Sequence, residues 1–154
     1  MDAIVTVNKN EMNTKLPDKF VLLCFASFEQ RSITVPLSLE NKQICKAFVF
    51  KSLNIDNEGS FIKICDKIPN NEVVELDLNN PINVARALTK VIKDISDLEN
   101  TSLVIDISTF THETLAMLLK LVTDNRTEFA SVFFVYNGAS DYSDSKKMDL
   151  SRCG

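Results

Sequence analysis

The sequence predicts an α/β fold: a three-layer sandwich with helices on both faces of a five-stranded, mainly parallel sheet. Two observations lead there, five short apolar runs between residues 20 and 136 and amphipathic segments filling the gaps between them. Continuous apolar runs mark strands buried on both faces. Right-handed crossover helices between such strands leave few arrangements other than a parallel sheet. A third observation is punctuation: no Pro or Gly interrupts any of the five runs.

The elements follow in order. Residues 1–17 read as an extension, a short strand at Ile4, Val5 and Val7 and then a polar linker ending at Leu16-Pro17. Phe20–Ala26 is the first buried run. Between Gln30 and Lys42, Ser32 is placed to cap a helix whose start Pro36, about a turn in, weakens or shifts. Lys46–Phe50 is the second run. After the breaker Asn57-Glu58-Gly59-Ser60, Phe61, Ile62, Cys65 and Ile68 share one helical face. Glu72–Leu78 is the third run, and its alternation exposes one face more than the other.

Asn80-Pro81 opens the clearest helix, a capping residue followed by proline at the first helical position. Its apolar stripe is Val84, Leu88, Val91, Ile92 and Ile95. Ser102–Ile107 is the fourth run. A helix starting near Thr109 or Thr111 then continues through Leu115–Val122, apolar almost all round and so expected to be well buried. Ala130–Tyr136 is the fifth run, with Asn137-Gly138 supplying a positive φ to the turn beyond it. The segment from Ser143 to Gly154 is polar and carries no helix to cover the sheet. Residues 18–138 therefore form the domain, and 139–154 read as a tail leading to a further domain or partner.

This alternation is that of a Rossmann-like domain, for which the orders 3-2-1-4-5 and 2-1-3-4-5 are both common. The long third crossover, from Leu78 to Ser102, favours 3-2-1-4-5, because it suits a return to the other side of the first strand.

Composition removes several function classes. At 154 residues, 45% hydrophobic and 25% charged, the chain has ordinary globular usage. It has 3 glycines, where average usage would give roughly eleven, so neither GxGxxG nor GxxxxGK[ST] is present. A net charge of −4 supplies no basic field for general nucleic-acid binding. No apolar stretch is long enough to span a membrane, and the N-terminus lacks a secretory signal pattern. The 4 cysteines form no CxxC pair and the single histidine has no nearby Cys, so no metal site and no cofactor are expected. Three of the cysteines fall in apolar elements as small buried hydrophobes, and a cytoplasmic protein with reduced thiols is the expectation.

In a sheet of order 3-2-1-4-5, the ligand crevice lies between the loops after the first and fourth strands. Those loops also hold the richest reactive chemistry: Ser27, Phe28, Glu29, Arg31 and Ser32 in one, Asp106, Ser108, Thr109, Thr111 and His112 in the other. Arg31 is the anion-binding candidate, since a guanidinium fork fits phosphate or carboxylate, with a salt bridge to Glu29, Asp106 or Glu113 as the alternative. Phe28 either stacks on a base or anchors the loop to the core. Asp106 interrupts an apolar strand, which needs a partner. It is either an acid aimed into the crevice or a local cap. Ser108, Thr109 and Thr111 present hydroxyls to an anion at the helix start or simply cap the helix. His112 lies in the first helical turn, as an acid–base group or a solvated side chain. Tyr136 and Tyr142 flank the fifth-strand exit as crevice wall or packing.

These residues resemble the CRISPR-associated Rossmann-fold sensor domains and related modules of prokaryotic defence proteins. There, a polar loop after the first strand and an Asp-hydrophobic-Ser/Thr segment after the fourth line the ligand site. The matching pieces here are Ser27-Phe28-Glu29-Gln30-Arg31-Ser32 and Asp106-Ile107-Ser108-Thr109. The resemblance implies nucleotide-type sensing, a homodimer and an attached effector domain. One departure stands out: those domains often carry Thr-Gly-Gly after the aspartate, where this chain has Ser108-Thr109-Phe110. Phe110 obstructs close backbone approach to a phosphate, which argues against a cyclic oligonucleotide. The expectation is a ligand-sensing or regulatory domain for a small anionic, nucleotide-like molecule. The alternatives are a nucleosidase or hydrolase-type enzyme using Asp106, Glu29 or His112, and a non-catalytic interaction domain.

Overall fold

β2 (Phe20–Ala26) is buried at every position, because it lies in the middle of the sheet between β3 (Ile44–Ser52) and β5 (Thr101–Asp106) and pairs parallel with both. The computed structural model describes residues 4–53, 58–138 and 147–153. β4 (Asn71–Leu76) pairs parallel with β3, and β6 (Phe129–Tyr136) parallel with β5. These five strands lie in the order β4-β3-β2-β5-β6, the 3-2-1-4-5 arrangement. The full order differs from the expected one because two further strands extend it. β7 (Lys147–Cys153) pairs antiparallel with β6, and β1 (Ile4–Asn8) pairs antiparallel with β7, making seven strands in all.

Side-chain parity divides the interior into two layers, since successive residues of a strand face opposite sides. Leu22, Cys24, Val49, Val104 and Val135 face α2 (Arg31–Ser38) and α3 (Glu58–Lys67). Val21, Leu23, Phe50, Ile105 and Val132 face α4 (Pro81–Ser96) and α5 (His112–Asp124). Helices thus cover both faces, as a Rossmann-like three-layer sandwich requires. The α4 stripe behaves as expected, with Val84, Leu88, Val91, Ile92 and Ile95 all buried. Each such side chain contributes about 1.5–3 kcal/mol relative to exposure. Asn80 caps α4 by accepting from Asn83 N at 3.2 Å.

Several expectations are corrected. The short strand expected at Ile4, Val5 and Val7 is β1, but the stretch after it, read as a polar linker, forms a short helix, α1 (Lys9–Lys15), which docks on the α2 face through buried Met12 and Leu16. The polar tail supplies β7. In α3 the buried face is built on Ile64 and Ile68, with Phe61 and Cys65 beside them, while Ile62 is 47% exposed. Residues 61, 64/65 and 68 follow the helical period better than a pattern that includes 62. α5 buries one face, Thr114, Leu118 and Val122, and leaves Leu119 exposed, so it is not buried all round. Cys24 is buried and Cys65 half-buried, but Cys45 is exposed. Neither described residue of Asn137-Gly138 has a positive φ; Asn100 does, at 57°, in the turn before β5. Asparagine tolerates that region better than most residues. Gly138 instead leaves room for Tyr136, whose ring would lie 3.3 Å from an added Cβ. Tyr142 and residues 139–146 lie outside the described residues.

Candidate functional site

The chain leaves β2 toward β3 and reaches β5 on the other side of β2, so the loops after β2 and β5 diverge and open a crevice at the carboxyl ends of the strands. The β2 loop is held in shape from within. Ser27 Oγ accepts from Glu29 N at 3.1 Å, and the Ser27 carbonyl accepts from Ser32 Oγ at 3.2 Å. Arg31 Nε donates to Glu29 Oε2 at 2.7 Å. That bond is the main reason the guanidinium pKa is raised, with Tyr136 adding a smaller contribution. Of the alternatives for Arg31, the ion pair with Glu29 is therefore formed.

The β5 loop folds back on its own aspartate. Asp106 Oδ1 accepts from Ser108 N at 3.1 Å and from Ser108 Oγ at 2.5 Å, and Ser108 Oγ accepts in turn from Asn137 N at 3.0 Å. Asp106 is only 2% exposed. Burial pushes its pKa up to about 7, against the opposing pull of the Ser108 hydrogen bonds and the Arg31 charge. Thr109 Oγ1 donates to the Phe25 carbonyl at 2.7 Å and ties the two loops together. Thr111 caps α5, accepting from Thr114 N at 3.2 Å and donating to Thr114 Oγ1 at 2.8 Å.

Between the loops lies a cleft of about 270 Å³. Of the residues singled out in the sequence, Ser27, Phe28, Glu29 and Arg31 line it from the β2 side and Thr109, Thr111 and His112 from the β5 side. Phe28 is 72% exposed, so it does not anchor the loop to the core. Ser32, Asp106, Ser108 and Tyr136 are not among the lining residues. Parity explains Asp106: Ile105 faces the α4/α5 layer, so Asp106 turns with Val104 toward α2. Ser32 is fully buried beneath its own loop. The hydroxyls of Ser108, Thr109 and Thr111 act as internal ties, and of the two readings open for Thr111 the helix cap is formed.

The lining also includes Phe25, Ser52, Leu78 and Phe110, none of them among the ligand-binding candidates named from the sequence. Phe25 and Ser52 stand at or next to the carboxyl ends of β2 and β3, and Leu78 follows β4, so the rule that ligands lie beyond those ends already pointed to them. Phe110, read as an obstruction, forms the wall. Its ring lies edge-on to Phe25 at 5.4 Å and to Phe50 at 5.7 Å between centroids.

A larger open depression of about 410 Å³ lies at the opposite end of β2 and β3, lined by Asn13, Asp18, Lys19, Lys42 and Gln43 among others. Several of its polar groups are tied to the backbone around it. Gln43 Nε2 donates to the Asn13 and Pro17 carbonyls at 3.1 and 2.9 Å, and Lys19 Nζ to the Lys42 carbonyl at 2.5 Å. It lies at the amino end of the strands, away from the crevice. Among the described residues no group of three or more His, Cys, Asp or Glu is placed to hold a metal ion, and no helix is long and apolar enough to cross a membrane.

The fold and the cleft define a Rossmann-like α/β domain with a side-chain-lined crevice at its switch point. No protein-family model matches the chain, and no curated protein matches it.

Proposed function

We propose that the chain is a ligand-binding, regulatory domain that takes a small nucleotide-like molecule with an anionic group in the cleft between the β2 and β5 loops. The observation that carries this reading is the Thr109–Phe25 tie, which holds two loops 84 residues apart around one cleft at the switch point. The guanidinium of Arg31, a quarter exposed and anchored through Nε to Glu29 with Tyr136 as a weaker partner, stands in the cleft lining where an anionic group can meet it. The resemblance to CRISPR-associated sensor domains supports a sensing role in the same direction. An enzymatic reading has less behind it: Asp106 sits outside the cleft lining and Glu29 is engaged by Arg31.

Calorimetric titration and thermal denaturation with nucleosides and mononucleotides test the reading. Saturable binding with a rise in Tm is expected, because a ligand that binds only the folded state stabilises it. No heat and no Tm change with any of them, in a folded sample, contradicts it and leaves an interaction domain. Turnover that Asp106→Asn abolishes would instead establish an enzyme.

A further inference from the structure

We infer that the cleft grips its ligand by an aromatic ring, and that this ligand is a nucleoside or a nucleotide with a single phosphate. This rests on the reading that the switch-point cleft is a binding site, and it states what that site selects.

Charge is the first observation. Arg31 is the guanidinium in the lining and Glu29, 2.7 Å away, lines the same cleft, so the pair brings little net positive potential. No described lysine lines it. A triphosphate needs several cationic or backbone donors to replace its water, and one half-neutralised guanidinium with a single imidazole, His112, does not supply them.

The hydrogen-bond census points the same way. Thr109 and Thr111 spend their hydroxyl protons on Phe25 and Thr114. Where a glycine cradle would bring backbone N–H groups against a phosphate, Thr109 and Phe110 carry side chains.

What the cleft does offer is rings. Phe25 and Phe110 form one wall as an edge-on pair. Phe28 lines the cleft from the β2 loop and, at 72%, is the most exposed of the large apolar side chains described. An aromatic side chain held in water at a cleft mouth gains most from a flat partner, and base–aromatic stacking tolerates any base. The volume of about 270 Å³ lies just below the roughly 300–1,000 Å³ usual for small-molecule sites, which favours a small ligand.

The test uses the full chain and four probes: adenosine, AMP, ATP and ribose 5-phosphate. The chain has no tryptophan, so Phe28→Trp places a single fluorophore at the cleft mouth, and calorimetry on the unaltered protein checks it. AMP and adenosine are expected to quench the tryptophan saturably, ribose 5-phosphate to do nothing, and ATP to bind no more tightly than AMP. Phe28→Ala should keep the melting temperature and weaken AMP by about tenfold or more, the scale of one stacked base. Ribose 5-phosphate binding as well as AMP would overturn the inference while leaving an anion site. So would ATP binding tightest with an affinity that falls steeply with salt. If none of the four binds to the folded protein, the cleft is not a nucleotide site and the proposed function falls as well.

Discussion

Thr109 Oγ1 donates to the Phe25 carbonyl at 2.7 Å and so links the exit of β2 directly to the exit of β5. Thr109→Val keeps the shape and removes the donor. The expected loss of stability is about 1 kcal/mol, the net worth of such a bond. It should be read as a lower urea midpoint with an unchanged m-value. Because the same bond ties the two loops that wall the cleft, AMP affinity should fall along with it. A variant of full stability and full affinity would show that the tie positions nothing.

Asp106 makes stability depend on pH, with a sign that can be worked out. Its pKa is about 7 in the folded chain against roughly 3.9 in an unfolded one. Between these values the folded state holds a proton that the unfolded state has lost, so stability falls as pH rises from about 4 to about 7 and then levels. The loss from this one group amounts to at most about 4 kcal/mol. Asp106→Asn, neutral at every pH, should flatten the profile. Urea unfolding at several pH values measures it, and equal slopes for the two proteins would place the pH dependence elsewhere.

Ser108→Ala probes the same network from its other end. The two Ser108 hydrogen bonds hold the Asp106 carboxyl below the value that burial alone would give. Removing the hydroxyl should therefore raise that pKa further and extend the fall in stability to higher pH, its start near pH 4 unchanged. It also takes the acceptor from Asn137 N, a buried group, at a cost of about 1–3 kcal/mol. A pH profile that does not move upward would contradict the assignment of the titration to Asp106.

The cysteines give a labelling pattern. Cys45 is exposed on β3, whereas Cys24 is fully buried and its thiol is pushed up by burial first and by Asp106 second. A thiol reagent should therefore modify Cys45 rapidly and Cys24 only on unfolding, since the thiolate is the reactive form. Mass spectrometry of labelled peptides reads this directly. Early labelling of Cys24 would mean that the α2 layer opens in the native protein.

The parallel strands were legible because a strand buried on both faces needs an unbroken apolar run, and Phe20–Ala26 is one. The edge elements were not. α1 has the sequence KNEMNTK and packs through Met12, with Leu16 just beyond its end, too few apolar positions to announce a helix. β7, KMDLSRC, mixes polar and apolar residues, and its pairing with β6 and β1 is a long-range fact that no local pattern carries. The site was half legible. Chain order and the switch-point rule located the cleft, but parity decides which residues enter it. Asp106 follows Ile105, and that single step puts it on the other face of the sheet. Phe28 reads the same in sequence whether it packs or protrudes, and only its loop decides.

The proposed ligand sits in the switch-point cleft and not in the larger depression at the amino ends of β2 and β3. Backbone amide chemical-shift mapping during an AMP titration tests it most directly in a chain of 154 residues. Perturbations are expected at residues 25–31, at Ser52 and across 109–112. Changes centred on Asn13, Asp18 and Gln43, or none at saturating AMP, would contradict the account.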